Sequence, residues 1–231
     1  MSNQMEHMYE TREEASIAAA QRIGAALLRR LDAQGAASVV VSGGSSPAGV
    51  FRKLAQTTLP WSDVHVVLSD ERWVPAEHEE SNEKLVRETL LTGDAQAAIM
   101  LPVYRQGVTI EERCGEIDEE LLLAPFPFSC ALLGMGEDGH FASLFPDAEN
   151  LQEGLDVDSR QLCIPVHTAA SPHPRVSLTL SALSRSDEIV LLIFGDAKRD
   201  VYETARTSTN GSPVSHLLRQ KRAPVHVYWA P

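Results

Sequence analysis

The sequence predicts an α/β fold built on a mainly parallel β-sheet with helices on both faces. Five short runs of β-branched and aliphatic residues have almost no polar interruption, which is typical of strands buried on both faces of a parallel sheet. Segments with helical spacing separate these runs, and strands that alternate with helices indicate a parallel sheet. The predicted strands are residues 38–41, 64–68, 128–133, 189–194 and 225–229.

Local signals place the helices between these strands. Residues 11–14, Thr-Arg-Glu-Glu, form a capping box, and apolar residues at near-helical spacing then continue until Gly35, which ends the first helix. Two Ser-Pro pairs, Ser46-Pro47 and Ser212-Pro213, combine an N-cap residue with proline in the first helical turn. Further helices are predicted over residues 47–56, 82–91, 110–122, 197–206 and 213–219, and surface loops over residues 92–97 and 152–160.

The length fits one large α/β domain or two small ones, and because no repeat, low-complexity tract or linker divides the sequence, we predict one domain over residues 1–231. Hydrophobic residues make up 43% of the chain, which is enough for a substantial core. The 32 acidic and 20 basic residues give a formal charge of −12, so a nucleic-acid partner is not expected, because binding phosphates along a strand needs clustered Lys and Arg. An anionic small molecule is compatible with this charge, since a few local cations and helix N-termini can bind it. No feature of the sequence identifies a protein partner.

The cysteines and the N-terminus predict a cytoplasmic protein. Cys114, Cys130 and Cys163 lie far apart and form no CxxC pair, which indicates free thiols in a reducing compartment. The first twelve residues are polar and resemble no signal peptide. The sequence contains no apolar stretch of the roughly 18 residues that a membrane helix needs, so no membrane association is expected.

The turn after the first predicted strand is the first candidate ligand site. It reads Ser42-Gly-Gly-Ser-Ser-Pro47 and leads into a helix. Gly43 and Gly44 allow backbone amides to approach a ligand closely, Ser45 and Ser46 add hydroxyl donors, and the helix N-terminus favours a phosphate. An ordinary strand-to-helix turn is the alternative, because the motif is neither a P-loop nor a GxGxxG pattern.

Charged residues follow the second predicted strand. Asp70, Glu71 and Arg72 come at the end of the sheet where open parallel sheets bind their ligands. Asp70 is a candidate substrate-binding residue, and Arg72 could hold an anion or stabilise an oxyanion. A solvated ion-pair loop is the alternative interpretation.

The third predicted strand leads into a glycine-rich segment that contains Asp138 and His140. Three glycines in six residues indicate a backbone pressed against a neighbour or forced through positive φ. A carboxylate beside a histidine can orient the ring for general-base catalysis. A metal site is disfavoured because no other His or Cys lies nearby at ligand spacing; a purely structural turn is the other alternative.

Two further cations are placed near the same end of the sheet. Arg175 precedes an apolar alternation, and Lys198 falls in or near the first turn of the helix after the fourth predicted strand. A cation at that position opposes the helix dipole unless an anion accompanies it. Either residue alone could be solvated, but their shared location favours a phosphate clamp.

The remaining histidines give weaker indications. His65 and His226 lie within predicted strands and are expected to be packed or half-exposed. His167 and His173 flank the segment before Arg175 and could line the pocket. The histidines expected at the surface are His7, His78 and His216.

These segments resemble the 6-phosphogluconolactonase family. Three segments match the family in order and spacing: Ser42-Gly-Gly-Ser-Ser-Pro47, Asp70-Glu-Arg-Trp-Val-Pro75 with Ser81-Asn82 following, and Gly134-Met-Gly-Glu-Asp-Gly-His-Phe-Ala-Ser-Leu-Phe-Pro146. The third motif is specific, and the others support it. Pro172-His-Pro-Arg175 and Gly195-Asp-Ala-Lys198 extend the resemblance to about residues 11–229. Ser46 departs from the family, which more often has threonine there, but the hydroxyl is kept.

The resemblance implies a Rossmann-like α/β fold, no metal or other cofactor, and 6-phospho-D-glucono-1,5-lactone as the substrate, hydrolysed in the second step of the oxidative pentose phosphate pathway. The sequence also resembles glucosamine-6-phosphate deaminase, which has the same fold and a similar Asp-Gly-His loop. In the deaminase that loop continues toward Asn-Glu-Pro. Here Ser143-Leu-Phe-Pro146 has no acidic residue, and this difference favours the lactonase. A sugar-phosphate sensor without catalytic activity is a further alternative, although the sequence has no extension that resembles a DNA-binding module.

The mechanism we expect is direct attack by water. His140 would take a proton from water and return one to the leaving ring oxygen, with Asp138 orienting its ring. Arg72 or the Gly43–Gly44 amides would stabilise the oxyanion. The sequence contains no GxSxG motif, which disfavours an acyl-enzyme. The residues that would hold the phosphate are Ser45, Ser46, Arg175 and Lys198.

Overall fold

The computed structural model describes residues 4–207 and 211–231, and its main feature is a seven-stranded sheet. Its strands are β1 (Gln4–Met8), β2 (Ala37–Val41), β3 (Val64–Leu68), β5 (Ile99–Met100), β6 (Cys130–Leu133), β9 (Ile189–Phe194) and β10 (Val225–Ala230). They lie in the order β1-β10-β9-β6-β2-β3-β5, and every neighbouring pair is parallel. A smaller antiparallel sheet has the order β4-β8-β7, with β4 at Asp70–Arg72, β7 at Cys163–Val166 and β8 at Arg175–Leu178.

The α/β prediction with a mainly parallel, Rossmann-like sheet is confirmed. All five predicted strands are present, and two of them, β3 and β9, have the predicted bounds. Every residue of β2 is buried, although successive side chains point to opposite faces of the sheet. Both faces are therefore covered, as expected when helices pack on each side.

The predicted helices also form, with small shifts at their ends. Thr11 and Glu14 exchange the two hydrogen bonds of a capping box, and Gly35 ends α1 with a φ of 75°. The helices are α1 (Arg12–Gln34), α2 (Pro47–Leu54), α3 (Asn82–Thr89), α4 (Ile110–Leu123), α5 (Leu151–Leu155), α6 (Leu180–Leu183), α7 (Asp196–Thr207) and α8 (Pro213–Arg219).

One local prediction holds only in part, and another is wrong. Ser46 and Ser212 occupy the N-cap positions with proline in the first turn, as predicted, but neither side chain makes a capping hydrogen bond in the described residues, and the Ser46 backbone is helical rather than extended. Residues 152–160 were expected to form a loop, but α5 occupies the first part of this range. The reason is tertiary packing: Gly154 is buried where a Cβ would lie 2.5 Å from Leu144, so the glycine fits a crowded contact rather than a surface turn.

The elements that the sequence did not predict are short or polar. β1 has the sequence Gln-Met-Glu-His-Met and forms only because β10 beside it supplies hydrogen-bond partners. β4 is three residues long and pairs with β8, which places Arg72 opposite Arg175. This second sheet brings two arginines from distant parts of the chain to one place.

The buried side chains form one continuous apolar cluster that extends from α1 to β10. Cys114, Cys130 and Cys163 lie within it as free, buried thiols. Within the described residues, no helix combines the length and the apolar character needed to cross a lipid bilayer.

Candidate active site

The candidate site lies at the carboxyl ends of four neighbouring strands, β9, β6, β2 and β3. The strand order reverses at β2, since β3 lies on one side of it and β6 on the other. Open parallel sheets bind ligands at such a switch point. A pocket of about 260 Å³ opens here, lined by Ser42, Gly43, Gly44, Ser45, Ser46, Pro47, Asp70, Arg72, Asn82, Gly134, Met135, Gly136, His140, Ala142, Arg175 and Lys198.

The structure brings the sequence-predicted site residues together. All of them line this pocket except Asp138, which lies behind His140 and contacts its ring. Residues that the sequence reasoning did not select also line it, notably Asn82, Met135 and Ala142. Asn82 is buried at the start of α3 and donates a hydrogen bond from Nδ2 to the Asp70 carbonyl at 2.8 Å. Two sequence signals pointed to it: its place at a predicted helix N-terminus and the Ser81-Asn82 pair in the family resemblance.

His140 and Asp138 form a close pair. His140 Nδ1 lies 2.6 Å from Asp138 Oδ1, and the His140 backbone N–H donates to the same oxygen at 3.1 Å. The imidazole also packs on Phe145, with ring centroids 4.1 Å apart. A carboxylate at Nδ1 favours the tautomer with its proton on that nitrogen, which leaves Nε2 as the basic atom. Within the described residues, Nε2 has no hydrogen-bond partner.

The loop around the pair is closed by its own backbone. Gly136 N–H donates to the His140 carbonyl at 2.9 Å, and Gly139 N–H donates to the Gly136 carbonyl at 3.1 Å. Gly139 has a φ of 80°, a conformation that side chains rarely adopt. These bonds turn the chain sharply enough to put Asp138 and His140 side by side.

Arg72 and Arg175 form the cationic wall of the pocket. Arg175 stacks over Phe145 at 5.2 Å and lies 3.7 Å from the Asp70 carboxylate, while Arg72 Nη1 donates to the Glu80 carbonyl. The Nε atoms of both arginines are buried without a hydrogen-bond partner in the described residues. Burial lowers the pKa of Arg175, and the nearby Arg72 charge lowers it further, against the attraction of Asp70.

Asp70 takes part in a buried polar network at the base of the pocket. Its Oδ1 accepts from the Ser69 hydroxyl at 2.7 Å, and its Oδ2 accepts from the Ser143 hydroxyl at 2.6 Å. Ser42 joins this network through a 2.8 Å contact with Ser69. The carboxylate thus holds the strand ends and Arg175 in place as well as lining the pocket.

The pocket lining also includes the glycine-serine turn and a lysine. Gly44 has a φ of 91°, which turns the chain from β2 into α2. Lys198 is the third residue of α7, as the sequence predicts for the first helical turn. In the part of the chain that the structure describes, it has no salt-bridge or hydrogen-bond partner. The pocket therefore gathers Arg72, Arg175 and Lys198 in a protein whose overall charge is −12.

The other histidines are placed elsewhere. His167 is exposed and His173 contacts Glu80, so neither lines the pocket as the sequence suggested. His226 is buried within β10, as expected for a strand residue. The surface prediction for His7 is wrong, because its ring stacks on Tyr228 at 4.6 Å and its Nε2 lies 3.2 Å from His226.

The fold and this pocket define an α/β enzyme, with a histidine–carboxylate pair beside a cluster of cations at the switch point of a parallel sheet. The family model for glucosamine-6-phosphate isomerases/6-phosphogluconolactonase matches residues 10–229. The chain belongs to this family.

Individual relatives extend the match over nearly the whole chain. A 6-phosphogluconolactonase of Caulobacter vibrioides is 41% identical over 222 residues, covering 95% of this chain and 94% of the relative. One from Mesorhizobium japonicum is 38% identical over 220 residues, covering 95% and 92%. The crystal structure of a 6-phosphogluconolactonase from Shewanella baltica superposes with a TM-score of 0.94 at 36% identity, covering 99% of this chain and 98% of that one.

Proposed function

We propose that this protein hydrolyses 6-phospho-D-glucono-1,5-lactone to 6-phospho-D-gluconate, the second step of the oxidative pentose phosphate pathway. The observation that carries the proposal is the 2.6 Å pair of His140 Nδ1 and Asp138 Oδ1 at the edge of a cationic pocket. The relatives that match along the chain are named for this activity. A lactone with a phosphate group needs both a base and an anion site, and the pocket offers both.

His140 acts as the general base in this proposal. Its Nε2 is the free end of an imidazole whose other nitrogen is held by Asp138. It takes a proton from water as the water oxygen attacks the lactone carbonyl, and then returns a proton to the ring oxygen as the C–O bond breaks. Asp138 keeps the ring oriented and stabilises its transient positive charge.

The phosphate lies against the cations and the glycine-serine turn. Lys198 and Arg175 supply charge-assisted hydrogen bonds, and Ser45 and Ser46 supply hydroxyl donors at the start of α2. Binding energy from this remote group orients the carbonyl beside His140. Arg72, or the amides of Gly43 and Gly44, stabilises the oxyanion of the tetrahedral intermediate.

The composition of the pocket favours a lactonase over a deaminase. Among the residues that line it, Asp70 is the one carboxylate, and its oxygens already accept hydrogen bonds from Ser69 and Ser143. Ser143 stands in the part of the loop where the resemblance places an acidic residue in glucosamine-6-phosphate deaminase. Among the described lining residues, the pocket offers no free second carboxylate for ring opening and amine release.

The test is hydrolysis of freshly generated 6-phosphogluconolactone, followed through reduction of NADP by 6-phosphogluconate dehydrogenase. We expect the wild-type protein to accelerate hydrolysis well above the spontaneous rate, with or without EDTA. His140→Ala should lower kcat by about two to four orders of magnitude, the range for loss of a general base. His167→Ala, which replaces an exposed histidine outside the pocket, is the matched control and should keep wild-type turnover.

Two outcomes would contradict the proposal at different levels. Near-normal turnover by His140→Ala would remove His140 from the mechanism but leave the activity in place. Absence of acceleration by the wild-type protein would refute the activity itself. Ammonia release from glucosamine 6-phosphate would then identify the deaminase, and a ligand-induced rise in Tm without turnover would identify a sensor.

A further inference from the structure

Two histidines and a carboxylate converge outside the pocket. His78 and Glu80 lie between β4 and α3, and His173 lies just before β8. His173 Nε2 is 2.9 Å from Glu80 Oε2, and the His78 and His173 rings meet edge to face with centroids 5.4 Å apart. One ligand atom from each residue lies within 4.8 Å of the other two. None of the three lines the pocket described above.

A simple ion pair explains only part of this arrangement. An exposed pair such as His173–Glu80 stabilises a protein little, and the Glu80 side chain is 49% exposed. His78 adds a second imidazole, whose Nδ1 accepts a hydrogen bond from the Glu80 backbone N–H at 3.1 Å, so Nε2 is the nitrogen left for a ligand. Two imidazoles and one carboxylate whose ligand atoms lie within 4.8 Å of one another are the donor set that zinc uses when three protein ligands leave a position open.

We propose that His78, Glu80 and His173 bind one divalent cation of the zinc type, such as Zn²⁺, Co²⁺ or Ni²⁺. Imidazole nitrogen suits these ions, whereas Mg²⁺ and Ca²⁺ prefer sets of oxygen ligands. Tetrahedral bonds of about 2.0–2.1 Å place two ligand atoms roughly 3.3 Å apart. The 2.9 Å contact between His173 and Glu80 is close to that spacing, so small side-chain movements bring both atoms onto one ion.

The ion would join two chain segments that extend from the cationic wall of the pocket. Arg72 and Arg175 are paired across β4 and β8, and Trp73 N–H donates to the Pro174 carbonyl at 2.8 Å. Arg72 also donates to the carbonyl of Glu80 itself. A metal held by His78, Glu80 and His173 therefore continues this pairing beyond the strands and fastens the loop that holds Arg72. The ion takes no part in the proposed hydrolysis.

The first test is calorimetric titration of the EDTA-stripped full chain with ZnCl₂, with MgCl₂ as the comparison ion. We expect one Zn²⁺ per chain and no comparable binding of Mg²⁺. His78→Ala, His173→Ala and Glu80→Gln should each weaken Zn²⁺ binding by about tenfold or more, because each removes a ligand. His167→Ala should bind Zn²⁺ as the wild type does, since this exposed histidine lies outside the cluster.

His140→Ala separates this inference from the proposed function, because it should abolish efficient hydrolysis and leave Zn²⁺ binding unchanged. Zn²⁺ should also slow hydrogen exchange in residues 73–81 of the wild type but not of His173→Ala. Glu80→Gln serves as the second variant if a histidine variant fails to fold. Binding that survives all three ligand substitutions, binding that disappears with His140→Ala, or absence of stoichiometric binding would overturn the assignment.

Discussion

Gly136 allows the histidine–carboxylate pair to form. A Cβ at this position would lie 2.3 Å from Nδ1 and Cε1 of His140 and 2.5 Å from Oδ1 of Asp138. Real Cβ atoms do not approach other atoms so closely, so a side chain at position 136 would push His140 and Asp138 out of their present positions. Position 136 thus needs glycine because His140 and Asp138 lie against its backbone, whereas position 139 favours glycine because its φ is positive.

Gly136→Ala should therefore lower kcat by about tenfold or more, since His140 and Asp138 must separate or turn away from the pocket. The measurement is lactone hydrolysis together with the pH dependence of kcat, which reports the histidine. Gly115→Ala is the matched control, because its added methyl group meets nothing within 4 Å and lies in α4. Equal kcat values for Gly136→Ala and the wild type would show that the pair tolerates displacement.

Lys198 has neither an ion-pair nor a hydrogen-bond partner in the described part of the chain, whereas Arg72 donates to the Glu80 carbonyl and Arg175 lies near Asp70. Lys198→Met keeps the length of the side chain and removes its charge, so we expect KM for the phosphorylated lactone to rise about 10- to 100-fold. Turnover of unphosphorylated glucono-1,5-lactone should change much less. Lys221→Met, at an exposed position outside the pocket, should match the wild type. If KM and kcat both stay at wild-type values, Lys198 does not hold the phosphate.

At the scale of elements, Glu71 connects the small sheet to α3. Its carboxylate accepts from the backbone N–H groups of Arg72, Asn82 and Glu83 at 2.7–2.8 Å and from the Ser81 hydroxyl at 3.0 Å. Two of these amides belong to the first turn of α3, where helical N–H groups lack partners within the helix. Burial raises the pKa of the Glu71 carboxyl, and these hydrogen bonds oppose that shift.

Glu71→Gln should lower the free energy of unfolding by about 2 kcal/mol, because an amide NH₂ cannot accept and would face backbone donors. Urea unfolding followed by circular dichroism measures this change. Glu79→Gln is the control, since Glu79 is exposed on the same loop. A loss no larger than that of the control would mean that α3 is held by its apolar contacts alone.

At the scale of the whole molecule, the buried side chain of His226 makes stability depend on pH. His226 is 3% exposed, and its Nε2 lies 2.6 Å from Arg22 Nη2. Burial, with help from the Arg22 charge, lowers the pKa of His226 from 6.5 to about 4. The unfolded chain therefore binds a proton between these pH values that the folded chain does not bind. The free energy of unfolding should therefore stay near its maximum above pH 6.5, as far as His226 is concerned, and should decrease as the pH falls from 6.5 toward 4.

The loss assigned to His226 is at most about 3 kcal/mol, and urea unfolding between pH 7 and 4 measures it. His226→Gln should show a shallower decline over this range, whatever its stability at pH 7. His167→Gln, which replaces an exposed histidine, should keep the wild-type slope. Parallel curves for His226→Gln and the wild type would assign the acid sensitivity to other groups, among them His7, His65 and His216, whose pKa values burial also lowers.

Much of the fold is predictable from local pattern. The apolar runs that became β2, β3, β6, β9 and β10 identify their own strands, because a strand buried on both faces can hold few polar residues. The Thr11 capping box and Gly35 likewise fix the ends of α1 within a few residues. β1 and β4 are not predictable in this way, because their pairing with β10 and β8 defines them and their own sequences are polar.

The sequence by itself determined the type of fold, the strand ends at which the pocket lies and the residues that form most of the pocket wall. Residues placed directly after parallel strands meet at one edge of the sheet whatever the details of the loops. Only the tertiary structure decided which groups touch. It paired Arg72 with Arg175 through β4 and β8, set Glu71 against α3, and brought His78 and Glu80 to His173. These contacts join segments far apart in the chain, and local sequence patterns carry no information about such distances.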